Sequence, residues 1–83
     1  PWSVAKAFEW DPKKALANLE KHGVSFEVAT SVFADPLAIT FSDPDHSMSE
    51  ARELTVGQAE SRIIVIVSHT DRSGNIRKLY EAS

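Results

Sequence analysis

The sequence predicts an α+β domain, two N-terminal helices packed on a small antiparallel β-sheet, and three features point to it. Asp11 to Pro36 punctuates itself as two short helices joined by a glycine. Arg62 to Ser68 encloses an unbroken run of β-branched apolar residues, Ile63 to Val67, and shorter alternating segments separated by turn residues lie around it. The order of one short strand, two helices and then a run of strands joined by short turns, rather than alternation, segregates into two layers.

Residues 1–6 carry no pattern, and Trp2 is the one side chain there large enough to dock on anything. Ala7 to Trp10 alternates, with Phe8 and Trp10 on one face, and reads as a short strand. Asp11 can accept from the free amides of a helix start, and Pro12 behind it has its φ already set. Ala15, Leu16 and Leu19 then make the expected inward stripe, with Lys13, Lys14, Asn18, Glu20 and Lys21 turned outward. Gly23 stops the helix in the left-handed region, and Val24 supplies the accompanying apolar contact. Ser25 caps a second helix, Glu27 sits in its positive first turn, and Phe26, Ala29 and Phe33 form a new inward stripe. Asp35-Pro36 ends it, because the residue before proline is pushed out of helical geometry.

Leu37 to Phe41 has strand composition, and Ser42 to Ser47 is turn chemistry. From Arg52 to Val56, residues 52, 54 and 56 share a face, so an arginine falls in line with expected core residues. The run from Arg62 to Ser68 predicts a central strand covered on both faces. Asp71 to Gly74 reads as a hairpin turn, with Asn75 to Leu79 returning beside that strand.

A chain of 83 residues makes one domain, 1–83. Its 42% hydrophobic and 25% charged content is that of a globular protein, and no apolar run is long enough to cross a bilayer. The lack of cysteine fits a reducing cytoplasm. The net charge of −3 argues against nucleic-acid binding through the overall field. Residues 1–50 hold four Lys/Arg against eight Asp/Glu, whereas residues 51–83 hold five against four. A phosphate site is therefore expected late in the chain.

The segments FEWDPKKALANLEKHGVSF, VFADPLAITFSDPDH, EARELTVG, RIIVIVSHTDRSG and NIR, in order from Phe8 to Arg77, resemble the BrnT family of type II toxins. The resemblance implies a RelE-like fold, metal-independent cleavage of RNA with inhibition of translation, and no cofactor. It also implies neutralisation by a BrnA-like antitoxin, whose DNA-binding domain would bring the pair to operator DNA only indirectly. A dimer and a heterotetramer are the assemblies left open. One departure stands out: the family continues after Asn75-Ile76-Arg77 into a basic helical segment, and here Arg77 runs directly into Lys78.

Cutting RNA without metal requires a base for the 2′-hydroxyl proton, an acid for the leaving oxygen and cations for the phosphorane. His46, Glu50, Arg52 and Arg77 are the catalytic candidates, with Lys21 and Lys78 as RNA contacts. Arg52 reads equally as a bidentate phosphate clamp or as the partner of Glu50 or Asp45 in a structural ion pair. Arg77 reads equally as a phosphate contact or as a charge guarding a strand edge. His22 is placed to cap the first helix, and His69 reads as a buried or rim histidine at the end of the central strand. Asp43, Asp45 and His46 are explained by turn formation, so no metal site is assigned. Trp10, Phe26 and Phe33 fall on inward faces and are assigned to the core, leaving Trp2 and Tyr80 for a partner surface. The alternative is a catalytically inactive antitoxin-binding module on the same fold.

Overall fold

A computed structural model describes residues 7–46, 51–72 and 76–83. Residues 1–6, 47–50 and 73–75, including Trp2, Glu50 and most of the expected hairpin turn, lie outside the described residues. The order is β1 (Ala7–Glu9), α1 (Pro12–His22), α2 (Phe26–Thr30), a 3-10 turn (Ser31–Ala34), β2 (Ile39–Ser42), a second 3-10 turn (Pro44–His46), β3 (Glu53–Gln58), β4 (Ile64–Asp71) and β5 (Ile76–Ala82).

The helix punctuation follows the sequence. The Asp11 carboxylate accepts from the Lys13 amide at 2.8 Å, and Gly23, at φ 70°, donates its amide to the Leu19 carbonyl at 2.9 Å. Ser25 Oγ accepts from the Val28 amide at 3.1 Å, and Asp35 before Pro36 is extended, at φ −74° and ψ 117°. Asp35 also ties the helical layer to the sheet. One carboxylate oxygen accepts from the Leu37 amide at 2.9 Å and the other from the Gln58 amide at 2.8 Å. The Gln58 bond first, and the Leu37 bond second, hold its carboxyl below the usual carboxylate range.

The five strands form one sheet in the order β1-β5-β4-β3-β2. The β2–β3, β3–β4 and β4–β5 pairs are antiparallel, but β1 runs parallel to β5, with Phe8 opposite Arg77. The sheet is therefore mixed rather than purely antiparallel, and the helices lie between β1 and β2 in the chain rather than ahead of all the strands. The last strand has one edge taken by β4, so its other edge accepts the short first strand.

The helices cover one face only. Phe26, Ala29 and Val32 pack on Val65, Val67, Leu79 and Ala82, and all of these are essentially inaccessible. On β3 the covered positions are Thr55 and Gly57, so the face of Arg52, Leu54 and Val56 is the uncovered one. Likewise β4 buries Val65, Val67 and His69 but leaves Ile64 65% and Ile66 42% exposed. This corrects the expectation of a strand covered on both faces: two short helices supply enough apolar side chain for only one layer. Ile39, Phe41, Ile64 and Ile66 consequently form an apolar surface among the described residues.

The first helix also presents a different face from the expected one. Leu16 is 61% exposed and Leu19 46%, while Asn18 is buried. The Asn18 amide donates to the carbonyls of Val24 and Ala82, at 2.9 and 2.8 Å, and its oxygen accepts from the Ala82 amide at 3.1 Å. A side chain that satisfies three backbone groups, one just beyond α1 and two at the end of β5, outweighs the burial of a leucine at that position.

Candidate functional site

A cleft of about 430 Å³ opens on the uncovered face, lined by Lys14, Asp43, Arg52, Leu54, Ser68, Tyr80 and Glu81. Its floor depends on an irregularity in β5. Ser68 pairs with Glu81 but His69 pairs with Leu79, so Tyr80 is an extra residue, and such a bulge re-aims the side chain it carries. The guanidinium of Arg52 stacks over the Tyr80 ring with its carbon 3.8 Å from the centroid. The ammonium groups of Lys14 and Lys78 each stand 5.5 Å from the same centroid. Cations from α1, the start of β3 and β5 thus converge on one aromatic ring. The Tyr80 hydroxyl lies 3.3 Å from Thr70 Oγ1, which fixes the ring from below.

The loop from Asp43 to Arg52 is closed at this cleft, because the Asp43 amide donates to the Arg52 carbonyl at 2.9 Å. His46 ends the 3-10 turn inside that loop; its side chain, like all of Glu50, lies outside the described residues. Lys21 is exposed and lines a smaller adjoining cleft of about 180 Å³ with Lys14, Tyr80 and Glu81. Arg52, Lys78 and Lys21 are therefore brought to one neighbourhood, together with Lys14, which sequence reasoning had placed only on an outward face. The signal available for Lys14 was its position seven residues before Lys21, two helical turns away on the same side.

Arg77 is not part of this group. It lies on the helix-covered face, its guanidinium carbon 4.0 Å from the Phe33 centroid and its Nε 2.7 Å from Asp71 Oδ1. Asp71 Oδ1 is also 3.3 Å from Nδ1 of the buried His69, whose Nε2 meets Thr55 Oγ1 at 2.8 Å. Thr55 Oγ1 in turn meets Thr40 Oγ1 at 2.7 Å. A polar row thus crosses the sheet from β2 to β5, roofed by Phe33, which stands edge-on to His69. Ligand atoms of Glu53, His69 and Asp71 lie within 4.8 Å of one another, but a guanidinium already occupies the cation position beside Asp71. His22 reaches Glu81 at 3.3 Å from the last turn of α1, an anchor between helix and sheet. Trp10 packs edge-on against Phe26 at 5.7 Å, in keeping with its assignment to the core.

Chemically, the Tyr80 cleft gathers cations around an aromatic floor, whereas in the His69–Asp71–Arg77 row the histidine is buried, the carboxylate is partly exposed and the groups are paired with one another. Residues 10–79 match the family model described as the ribonuclease toxin BrnT of type II toxin–antitoxin systems. No curated protein matches the chain.

Proposed function

The chain belongs to the BrnT family of ribonuclease toxins of type II toxin–antitoxin systems, and from that premise we propose a metal-independent endoribonuclease that cleaves RNA at the Tyr80 cleft. It acts in the cytoplasm, inhibits translation and is neutralised by a BrnA-like antitoxin, through which alone it meets operator DNA. The RelE-like character of the fold belongs to the same reading.

The observation that carries it is the convergence of Arg52, Lys14 and Lys78 on one tyrosine, at the mouth of the loop that contains His46 and Glu50. Stacking on Tyr80 holds the guanidinium plane, so its N–H groups can meet two phosphate oxygens at once and oppose the charge that develops on the phosphorane. The loop closed by Asp43 and Arg52 supplies His46 and Glu50 for proton transfer at the 2′-hydroxyl and the leaving oxygen. Lys21 extends the contact to a neighbouring phosphate. Arg77 has a supporting role: its pairing with Asp71 and Phe33 stiffens the strand that carries Lys78 and Tyr80.

Incubation of the purified protein with RNA in the presence of a chelator tests the reading. Cleavage should persist, and Arg52→Ala should abolish it while Arg52→Lys, which keeps charge but not the fork, loses most of it. Undiminished cleavage by Arg52→Ala removes the arginine from the site.

The uncovered apolar face of Ile39, Phe41, Ile64 and Ile66 favours a second reading, an inactive antitoxin-binding module. Expression without growth arrest, with antitoxin binding intact, selects it.

A further inference from the structure

Lys78 stands between two clefts: it lines the second, and its ammonium is 5.5 Å from the Tyr80 ring that lines the first. The second is an opening of about 290 Å³ that it lines with Glu9, Trp10, Asp11 and Arg72. This second cleft sits where β1 leads into α1, the helix that carries Lys14 to the first cleft. Crossing from one to the other, cations and rings are interleaved: Arg52, Tyr80 and Lys78 in succession, then Trp10 and Arg72 in the second cleft. Cations interleaved with aromatic rings match a strand that offers backbone phosphates and unpaired bases in turn, whereas a duplex hides its base faces.

Resting on the ribonuclease reading, we propose that the two clefts form one continuous track for single-stranded RNA. Lys14, Arg52, Lys78 and Arg72 follow the backbone, and Tyr80 and Trp10 carry the bases. Trp10 is suited to this because it lines the second cleft and is only half-buried, its ring held nearly at a right angle to that of Phe26. Arg72 is held by Glu9 at 3.4 Å with both side chains 45% exposed, an ion pair that a phosphate can displace. The carboxylates of Glu9, Asp11, Asp43 and Glu81 along the rims repel phosphates that fall out of step with the cations.

A 2′-O-methylated single-stranded oligonucleotide is the probe, since it lacks the nucleophile and cannot be cut. In a Trp2→Phe background, its binding should quench Trp10 emission, and a duplex of the same chemistry should not. Four neutralised phosphates give a slope of log K against log salt of about −3, at roughly 0.7 per phosphate for single strands. Lys78→Gln and Arg72→Gln should each reduce that slope by about 0.7. Tyr80→Ala should weaken binding on the order of tenfold through lost stacking. Unmoved Trp10 emission overturns the track, as does wild-type binding by Lys78→Gln and Arg72→Gln or equal affinity for duplex. Binding without cleavage of ordinary RNA sinks the ribonuclease reading alone; cleavage without a Trp10 response sinks the track alone.

Discussion

Replacing Asn18 separates a specific polar clamp from a generic apolar helix face. Its side chain makes three hydrogen bonds, to the Val24 carbonyl, the Ala82 carbonyl and the Ala82 amide, and both partner residues are buried. Leaving three buried backbone groups unsatisfied costs at least about 1 kcal/mol each, or about 3 kcal/mol in all. The better helix propensity of alanine returns roughly 0.6 kcal/mol, so Asn18→Ala should destabilise by about 2–3 kcal/mol. A chain of this size has roughly 4–12 kcal/mol of total stability, so the variant loses a large fraction of it. Asn18→Leu should be no better, because the added apolar group would face two carbonyls. Urea unfolding followed by circular dichroism, with the denaturant slope unchanged, is the assay. Leu16→Ala is the control and should stay within about 0.5 kcal/mol of wild type, since Leu16 is mostly exposed. An Asn18→Leu protein at least as stable as wild type would refute the reasoning and restore a plain hydrophobic stripe.

Gly57→Ala should destabilise by about 1–3 kcal/mol in the same assay, because its Cβ would stand 2.9 Å from Ala38 Cβ and 3.0 Å from Val32 Cγ1, beneath the 3-10 turn. Asp35 has a depressed pKa in the folded state, so its contribution is present above the ordinary carboxylate range and is lost as pH falls through the lower folded value. The difference in melting temperature between wild type and Asp35→Asn should accordingly shrink on acidification; a difference that stays constant down to strongly acid pH contradicts it. Arg77→Ala should cost about 1.5–3 kcal/mol of stability through its lost charged hydrogen bonds to Asp71, yet leave the salt slope of oligonucleotide binding unchanged. A slope reduced by Arg77→Ala would place that residue on the RNA after all.

Local signals were legible wherever a single residue decides the backbone. Asp11, Gly23, Ser25 and Asp35-Pro36 act within a few residues of themselves, and each does what its chemistry requires. The buried state of His69 was legible for a similar reason, since it continues the alternation of Val65 and Val67. The face of β3 was not legible, because alternation gives two faces and only the position of the helices says which is covered. Choosing the larger side chains, Leu54 and Val56, selected the wrong one; the buried positions are a threonine bonded to His69 and a glycine that makes room for Val32. The cleft was half legible. Arg52, Lys21 and Lys78 were identifiable as cations, but Tyr80 meets Arg52 only through a bulge that no spacing rule reveals. Lys14 joins them from a helix 66 residues away from Tyr80 in the chain.

The sequence by itself determined the family, the helix limits and the presence of the strands, since caps, breakers and alternation act over short distances and survive any arrangement of the rest. Tertiary structure alone decided that β1 runs parallel to β5, that one face of the sheet stays open, and that Arg52 and Arg77 lie on opposite sides of it. Those outcomes depend on which surfaces a limited amount of helix can cover, a competition among burial, hydrogen bonding and chain connectivity that is settled only when the whole chain is packed.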